Sequence, residues 1–69
     1  MDDSTVNKAL KAAKKLLKKQ DSGSMKVKVL AKLVAELMGD GENYKKFKKC
    51  ITKSEKFSVE GKEIGRAHV

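Results

Sequence analysis

A chain of 69 residues is long enough for one small domain, and it carries a single cysteine, a single histidine and no proline. These counts exclude an internal disulfide and a zinc site of four cysteine or histidine ligands, so a hydrophobic core must provide the stability. The net charge of +8 favours a polyanionic partner, and only one of the seventeen basic residues is an arginine. Because lysine suits phosphate whereas arginine reads guanine, the composition favours contacts to the nucleic-acid backbone over contacts to bases.

The first predicted element is an amphipathic helix over about residues 5–20. Its apolar residues recur at intervals of three and four, which is the helical period: Val6, Leu10, Ala13, Leu17. Ser4 or Thr5 is expected to cap its start, and Gly23 is expected to adopt a left-handed conformation after its end.

Two further helices are predicted over about residues 27–38 and 43–53. A minimal strand through Met25 is expected to enter the second helix, and Gly39 to terminate it. The second helix places these apolar residues at helical spacing: Leu30, Leu33, Val34, Leu37. The third helix gathers these residues on one side: Tyr44, Phe47, Cys50, Ile51. We expect Phe47 to lie at the centre of the core.

After the third helix the pattern changes to a period of two, which is typical of strands. Phe57 and Val59 fall on one face, "EGK" forms a turn, and "EIGRAHV" can return as a partner strand, so a hairpin is expected over about residues 56–69. Three helices and a hairpin predict a single α+β domain over 1–69 with the winged-helix fold, which contains a helix-turn-helix. A plain three-helix bundle with a frayed tail is the alternative, and the change of period argues against it.

The lysines of the third helix form the candidate binding surface. No acidic residue lies between Asn43 and Lys53, so these lysines lack the oppositely charged neighbours of an ordinary solvated helix. The predicted nucleic-acid-binding residues of the helix are Lys45, Lys46, Lys48, Lys49, Thr52 and Lys53, with Thr52 as the best placed neutral donor. The wing is expected to add Lys56, Lys62 and Arg66. The competing interpretation is a merely solubilising face.

Other functions receive less support from the sequence. The "KKLLKK" segment of the first helix could lie on anionic lipid, but its apolar side lacks Trp and Phe and is typical of a core-packing helix. Cys50 would need His68 as a base to act as a nucleophile, and a lone cysteine on an apolar face is more often a small buried hydrophobe. Without a carboxylate pair, glycine-rich phosphate loop or ligand cluster, we expect no enzyme activity, cofactor or metal. A monomer in a reducing intracellular compartment is expected, with no membrane span or signal peptide.

The segment "FKKCITKSEKFSV" resembles the C-terminal winged-helix domain of the cell growth-regulating nucleolar protein family. The likeness includes these residues: Phe47, Ile51, Thr52, Lys53, Phe57, Val59. Upstream, "MKVKVLAKLV" is similar through Met25, Val27, Leu30 and Val34, so the resemblance covers about residues 25–64. Arg66 departs from it by standing where an apolar strand residue is expected. Linker-histone globular domains share the same element order and a similar charge.

The resemblance implies a eukaryotic nuclear or nucleolar protein that binds nucleic acid in ribosome production or transcription. Members of the family also carry N-terminal zinc fingers, so this chain would be an excised domain or a reduced relative. The choice between DNA and RNA stays open at this point. So does a rival function, a protein-interaction module whose basic face meets an acidic partner or whose wing edge pairs with another strand.

Overall fold

The computed structural model describes residues 3–66, which form three helices, a short strand between the first and second helices, and a β-hairpin after the third. The elements are α1 (Asp3–Lys18), β1 (Ser24–Lys26), α2 (Val27–Leu37), one turn of 3₁₀-helix (Gly41–Asn43), α3 (Tyr44–Lys53), β2 (Phe57–Glu60) and β3 (Glu63–Arg66). The order confirms the predicted α+β winged helix, in which β2 and β3 form the wing. The predicted end of the hairpin, with His68, lies outside the described residues.

The sheet is antiparallel, with strand order β1-β3-β2. Ile64 of β3 lies opposite Met25 of β1 and opposite Val59 of β2. Residues directly opposite one another share a face, so this row points towards the helices, and Ile64 is 1% exposed. Arg66 pairs with Phe57 and therefore lies on the same face, at the position where the sequence suggested an apolar residue.

The core lies where the three helices meet and where the sheet closes over them. Its buried side chains are Ala9, Leu10, Ala13, Leu17, Val27, Leu30, Val34, Ala35, Phe47, Ile51, Phe57 and Ile64. Phe47 is 1% exposed, which confirms its predicted place. The alanines let the helices approach closely, and α3 consequently contacts both α1 and α2.

The wing turns through the two residues Gly61 and Lys62, which lie between the paired Glu60 and Glu63. Gly61 has φ +59° and Lys62 does not have positive φ, as expected for a type II′ turn with glycine at its first central position. Gly23 also has the predicted left-handed conformation, with φ +72°.

The start of α1 differs from the prediction. The helix begins at Asp3, so Ser4 and Thr5 lie within its first turn and neither takes the predicted capping position. The carboxylate of Asp3 in that turn is favourable because it faces the positive end of the helix dipole.

Three apolar side chains are less buried than their periodicity suggested. Leu37 is 65% exposed because α2 ends at this residue, where no described element covers it. Val59 is 40% exposed because β2 is an edge strand of the sheet, and Cys50 is half-buried rather than enclosed. Helical and strand periods give the direction of a side chain, whereas its burial depends on which elements extend far enough to cover it.

Candidate nucleic-acid interface

The residues that α3 exposes to solvent are determined by the residues that it buries in the core. Phe47 and Ile51 are buried against the other helices, and the 100° rotation per residue therefore turns Lys45, Lys48 and Lys49 towards solvent. All three lysines are exposed. The sequence of α3, YKKFKKCITK, contains no acidic residue, so no carboxylate of the helix itself neutralises them.

A first groove of about 370 Å³ lies where the start of α2, the middle of α3 and the tip of the wing meet. Its lining residues are Lys26, Val27, Lys28, Lys48, Thr52, Val59, Gly61 and Lys62. The apolar side chains of the lining are two valines, and the charged groups are lysines from three separate segments of the chain. Four positive charges therefore converge on one concave surface.

A second groove of about 380 Å³ adjoins the first along α3. It is lined by Lys28, Tyr44, Lys45, Lys48, Lys49 and Thr52, so the two grooves share Lys28, Lys48 and Thr52. Within the described part of the chain, no acidic residue lines either groove. We call the two grooves together the α3 face, with the lysines Lys26, Lys28, Lys45, Lys48, Lys49 and Lys62.

The wing is fastened to α2 by the main chain. The backbone N–H of Val27 donates to the carbonyl of Lys62 at 2.8 Å, and the side chain of Lys26 makes no capping hydrogen bond. A carbonyl of the wing turn therefore satisfies one of the N–H groups that a helix start leaves without a partner. This bond also holds Lys62 beside the lysines of α2, so the third segment of the α3 face is positioned by the backbone.

The entry to α3 is fixed by polar contacts. The amide of Asn43 donates to both carboxylate oxygens of Asp40, at 2.8 and 2.9 Å, across the turn that precedes the helix. At the next position Tyr44 is half-buried against the core, and the ammonium of Lys32 lies 5.4 Å from the centre of its ring. The ring of Tyr44 thus serves packing and a cation–π contact while it forms one wall of the second groove.

Thr52 lies in both grooves, but its hydroxyl is not the available donor that the sequence suggested. Its Oγ1 donates to the carbonyls of Lys48 and Lys49 at 2.9 and 3.1 Å. A threonine within a helix commonly bonds back to the preceding turn in this way, and the hydrogen is then directed at its own helix. In this conformation the hydroxyl has no hydrogen left for a ligand, and towards a ligand its oxygen can act only as an acceptor.

Four of the predicted binding residues lie outside the α3 face. Lys46 and Lys53 line neither groove, since helical rotation places them on the flank of α3 opposite Lys48. Lys56 precedes β2 at the base of the wing, where its backbone N–H donates to the Ser54 hydroxyl at 3.2 Å. Arg66 is separated from α3 and lies with lysines of α1 in a different hollow.

Conversely, the structure adds Lys26 and Lys28 to the face. Both flank Val27, at the junction where β1 passes directly into α2. A signal was available in the sequence, because the first helix of a helix-turn-helix crosses the nucleic-acid backbone, and "KVK" stands at the start of that helix, α2. The apolar residues of this segment, Met25 and Val27, supported the prediction of the fold, whereas the flanking lysines were not included in the predicted site.

Among residues 3–66, no helix is long and apolar enough to cross a membrane. The same residues contain no cluster of three or more histidine, cysteine, aspartate or glutamate side chains suited to a metal ion. Comparisons with protein-family models, with curated proteins and with solved structures found no match to this chain.

Proposed function

We propose that this domain binds nucleic acid through the phosphate backbone, with the α3 face as its contact surface. One observation carries the proposal: lysines from the β1–α2 junction, from α3 and from the wing tip line two adjoining grooves, and no acidic residue among those that the structure describes lines either groove. Like charges brought together in this way repel one another, and a phosphate placed among them removes that repulsion and releases bound counterions.

The composition of the grooves supports backbone contacts over base readout. Lysine can reach a guanine edge, but the planar fork of arginine and the amides of asparagine and glutamine have the fixed geometry that paired hydrogen bonds to a base edge require. The polar residues of the two grooves are lysine, threonine and one tyrosine. A surface of flexible ammonium groups follows phosphates without discriminating sequence, so we propose a module that binds many sequences with similar affinity.

The cellular setting follows only from the resemblance given above. We propose a nuclear, and more narrowly nucleolar, protein that acts in ribosome production or transcription. Fluorescence microscopy of the tagged chain in a eukaryotic cell tests this setting, and uniform cytoplasmic fluorescence contradicts it.

The interface is tested by amide chemical-shift mapping with a short DNA duplex and then with an RNA duplex of the same sequence. The expected result is saturable shifts at Lys28, Lys48, Thr52 and the Gly61–Lys62 turn, because these positions surround the two grooves. The larger shifts and tighter binding identify the preferred nucleic acid. Shifts that avoid all of these positions would overturn the assignment.

A second candidate function rests on the edge of the wing. Among residues 3–66, β2 pairs with β3 alone, so its other edge presents backbone groups that no described strand pairs, and Val59 is 40% exposed beside them. Such an edge can accept a strand from a partner protein. An acidic peptide that binds as tightly as a duplex at physiological salt, with shifts confined to β2, would favour this function over nucleic-acid binding.

A further inference from the structure

A second basic surface lies on α1, away from the α3 face. Lys11, Lys14, Lys15 and Lys18 line a hollow of about 230 Å³ together with Arg66 of β3. The four lysines are spaced at intervals of three and four, so they form one exposed stripe along the helix. We call these five residues the α1 face; within the described part of the chain no acidic residue lines the hollow.

The α1 face and the α3 face point in different directions. Each helix turns its apolar side to the same core: α1 buries Ala9, Ala13 and Leu17, while α3 buries Phe47 and Ile51. A lysine on the opposite side of either helix therefore points away from the other helix. The two faces also share no residue.

The chemistry of the α1 face suits phosphate rather than lipid. Ala9, Ala13 and Leu17 are fully buried, so the apolar side of α1 is packed in the core and is not presented to a bilayer. Arg66 is the only arginine of the chain; it is exposed and lines this hollow, and it also lines a neighbouring hollow with Glu60 and Glu63. A guanidinium can donate two parallel hydrogen bonds to one phosphate, and the adjacent ammonium groups can neutralise its neighbours.

We propose that the α1 face is a second phosphate-binding surface, so that one domain holds two segments of nucleic acid at the same time. The inference rests on the proposed function, since it assumes that the α3 face binds the first segment. The dimensions of the protein permit two bound segments, because the domain extends 20 Å in its shorter directions. Two segments held on sides of the domain that face away from each other are therefore farther apart than the Debye length of about 8 Å at physiological salt, and their repulsion is largely screened.

The test is a co-capture experiment with two duplexes. One duplex is fixed to beads, the protein is added, and retention of a second, fluorescent duplex is measured. The test variant carries Lys14→Gln and Lys18→Gln in the α1 face. The control variant carries Lys8→Gln and Lys19→Gln, which remove the same charge from exposed positions outside the hollow. Arg66→Gln is a second test variant.

We expect the wild-type chain and the control to retain the fluorescent duplex. The Lys14/Lys18 variant should bind the second duplex on the order of tenfold more weakly, because it loses two phosphate contacts. Its affinity for a single duplex, measured with the duplex at trace concentration, should stay within about twofold of wild type because the α3 face is intact. Arg66→Gln should reduce co-capture in the same direction.

Several results would overturn the second surface. They are absence of co-capture by the wild-type chain, equal loss from test and control variants, or a protein that already sediments as a dimer without nucleic acid. Binding of the protein to anionic vesicles through the α1 face, without binding of a second duplex, would also overturn it. If a single duplex binds through the α3 face while co-capture fails, only this inference is lost. If a single duplex does not bind at all, the proposed function fails as well.

Discussion

Two double substitutions on the same helix provide the strictest test of the α3 face. Lys45→Gln with Lys48→Gln removes two charges that line the grooves, whereas Lys46→Gln with Lys53→Gln removes two charges from the flank outside them. All four positions are exposed, and lysine and glutamine have similar helix propensities. The two variants therefore have the same net charge and close to the same stability, and they differ only in where the charge was lost.

The expected magnitude follows from the number of phosphates that the face can meet. If four of its six lysines contact phosphates at once, log K falls with log salt at a slope near −3.6 on duplex DNA. Affinity then decreases on the order of a hundredfold between about 50 and 200 mM salt. The Lys45/Lys48 variant should lose about 1.8 units of slope, which leaves a decrease of roughly tenfold over the same range. The Lys46/Lys53 variant should keep a slope close to that of the wild type.

The assay is fluorescence anisotropy of a labelled duplex across that salt range, repeated with a second duplex of unrelated sequence. Thermal unfolding followed by circular dichroism checks that each variant keeps the fold. Equal changes of slope in the two variants would refute the reasoning, because they would mean that only total charge attracts the nucleic acid. A loss seen with one duplex sequence alone would instead indicate base readout, which the lysine-rich grooves do not predict.

Three further predictions concern individual side chains. Phe47→Ala should lower the free energy of unfolding by about 3–5 kcal/mol in urea titrations, whereas Leu37→Ala should change it by about 0.5 kcal/mol or less because Leu37 is 65% exposed; a cooperative transition unchanged by Phe47→Ala would disprove the packing. Thr52→Val should leave duplex affinity within about twofold, since the hydroxyl donates within its own helix; a tenfold loss would show that the hydroxyl turns to phosphate on binding. Gly61→Ala should cost roughly 1 kcal/mol in the same urea titrations because φ is +59° there, and Gly61→Asn should cost less; equal stability of all three chains would contradict the type II′ turn.

Local periodicity was sufficient to predict the three helices and the hairpin. The interval between Phe47 and Ile51 places both on one side of α3, and the alternation around Phe57 signals the change to strand. The pairing of β1 with β3 could not be predicted in the same way. Ser24–Lys26 contains one apolar residue, Met25, and its partner Ile64 is distant in the chain. A register of that kind depends on how the helices bring the two segments together.

The candidate site was predictable to the extent that it lies on one helix. Lys45, Lys48 and Lys49 follow from the position of the apolar stripe, because they are the residues turned away from it. Lys28 and Arg66 depend instead on distances between elements: α2 brings the first into the grooves, and the central strand carries the second to α1. Sequence periods specify directions within an element and contain no information about which elements become neighbours.

The central position of β3 has a consequence for the order in which the domain assembles. β3 follows all three helices in the chain, yet β1, which precedes α2, can join the sheet only by pairing with it. The closing contacts are therefore distant in sequence, and contacts of that kind slow folding relative to a purely helical bundle. The backbone N–H of Val27 donates to the Lys62 carbonyl, so its hydrogen exchange reports directly on the contact between α2 and the wing. Its hydrogen exchange should follow opening of the whole sheet, and not fraying of α2 alone.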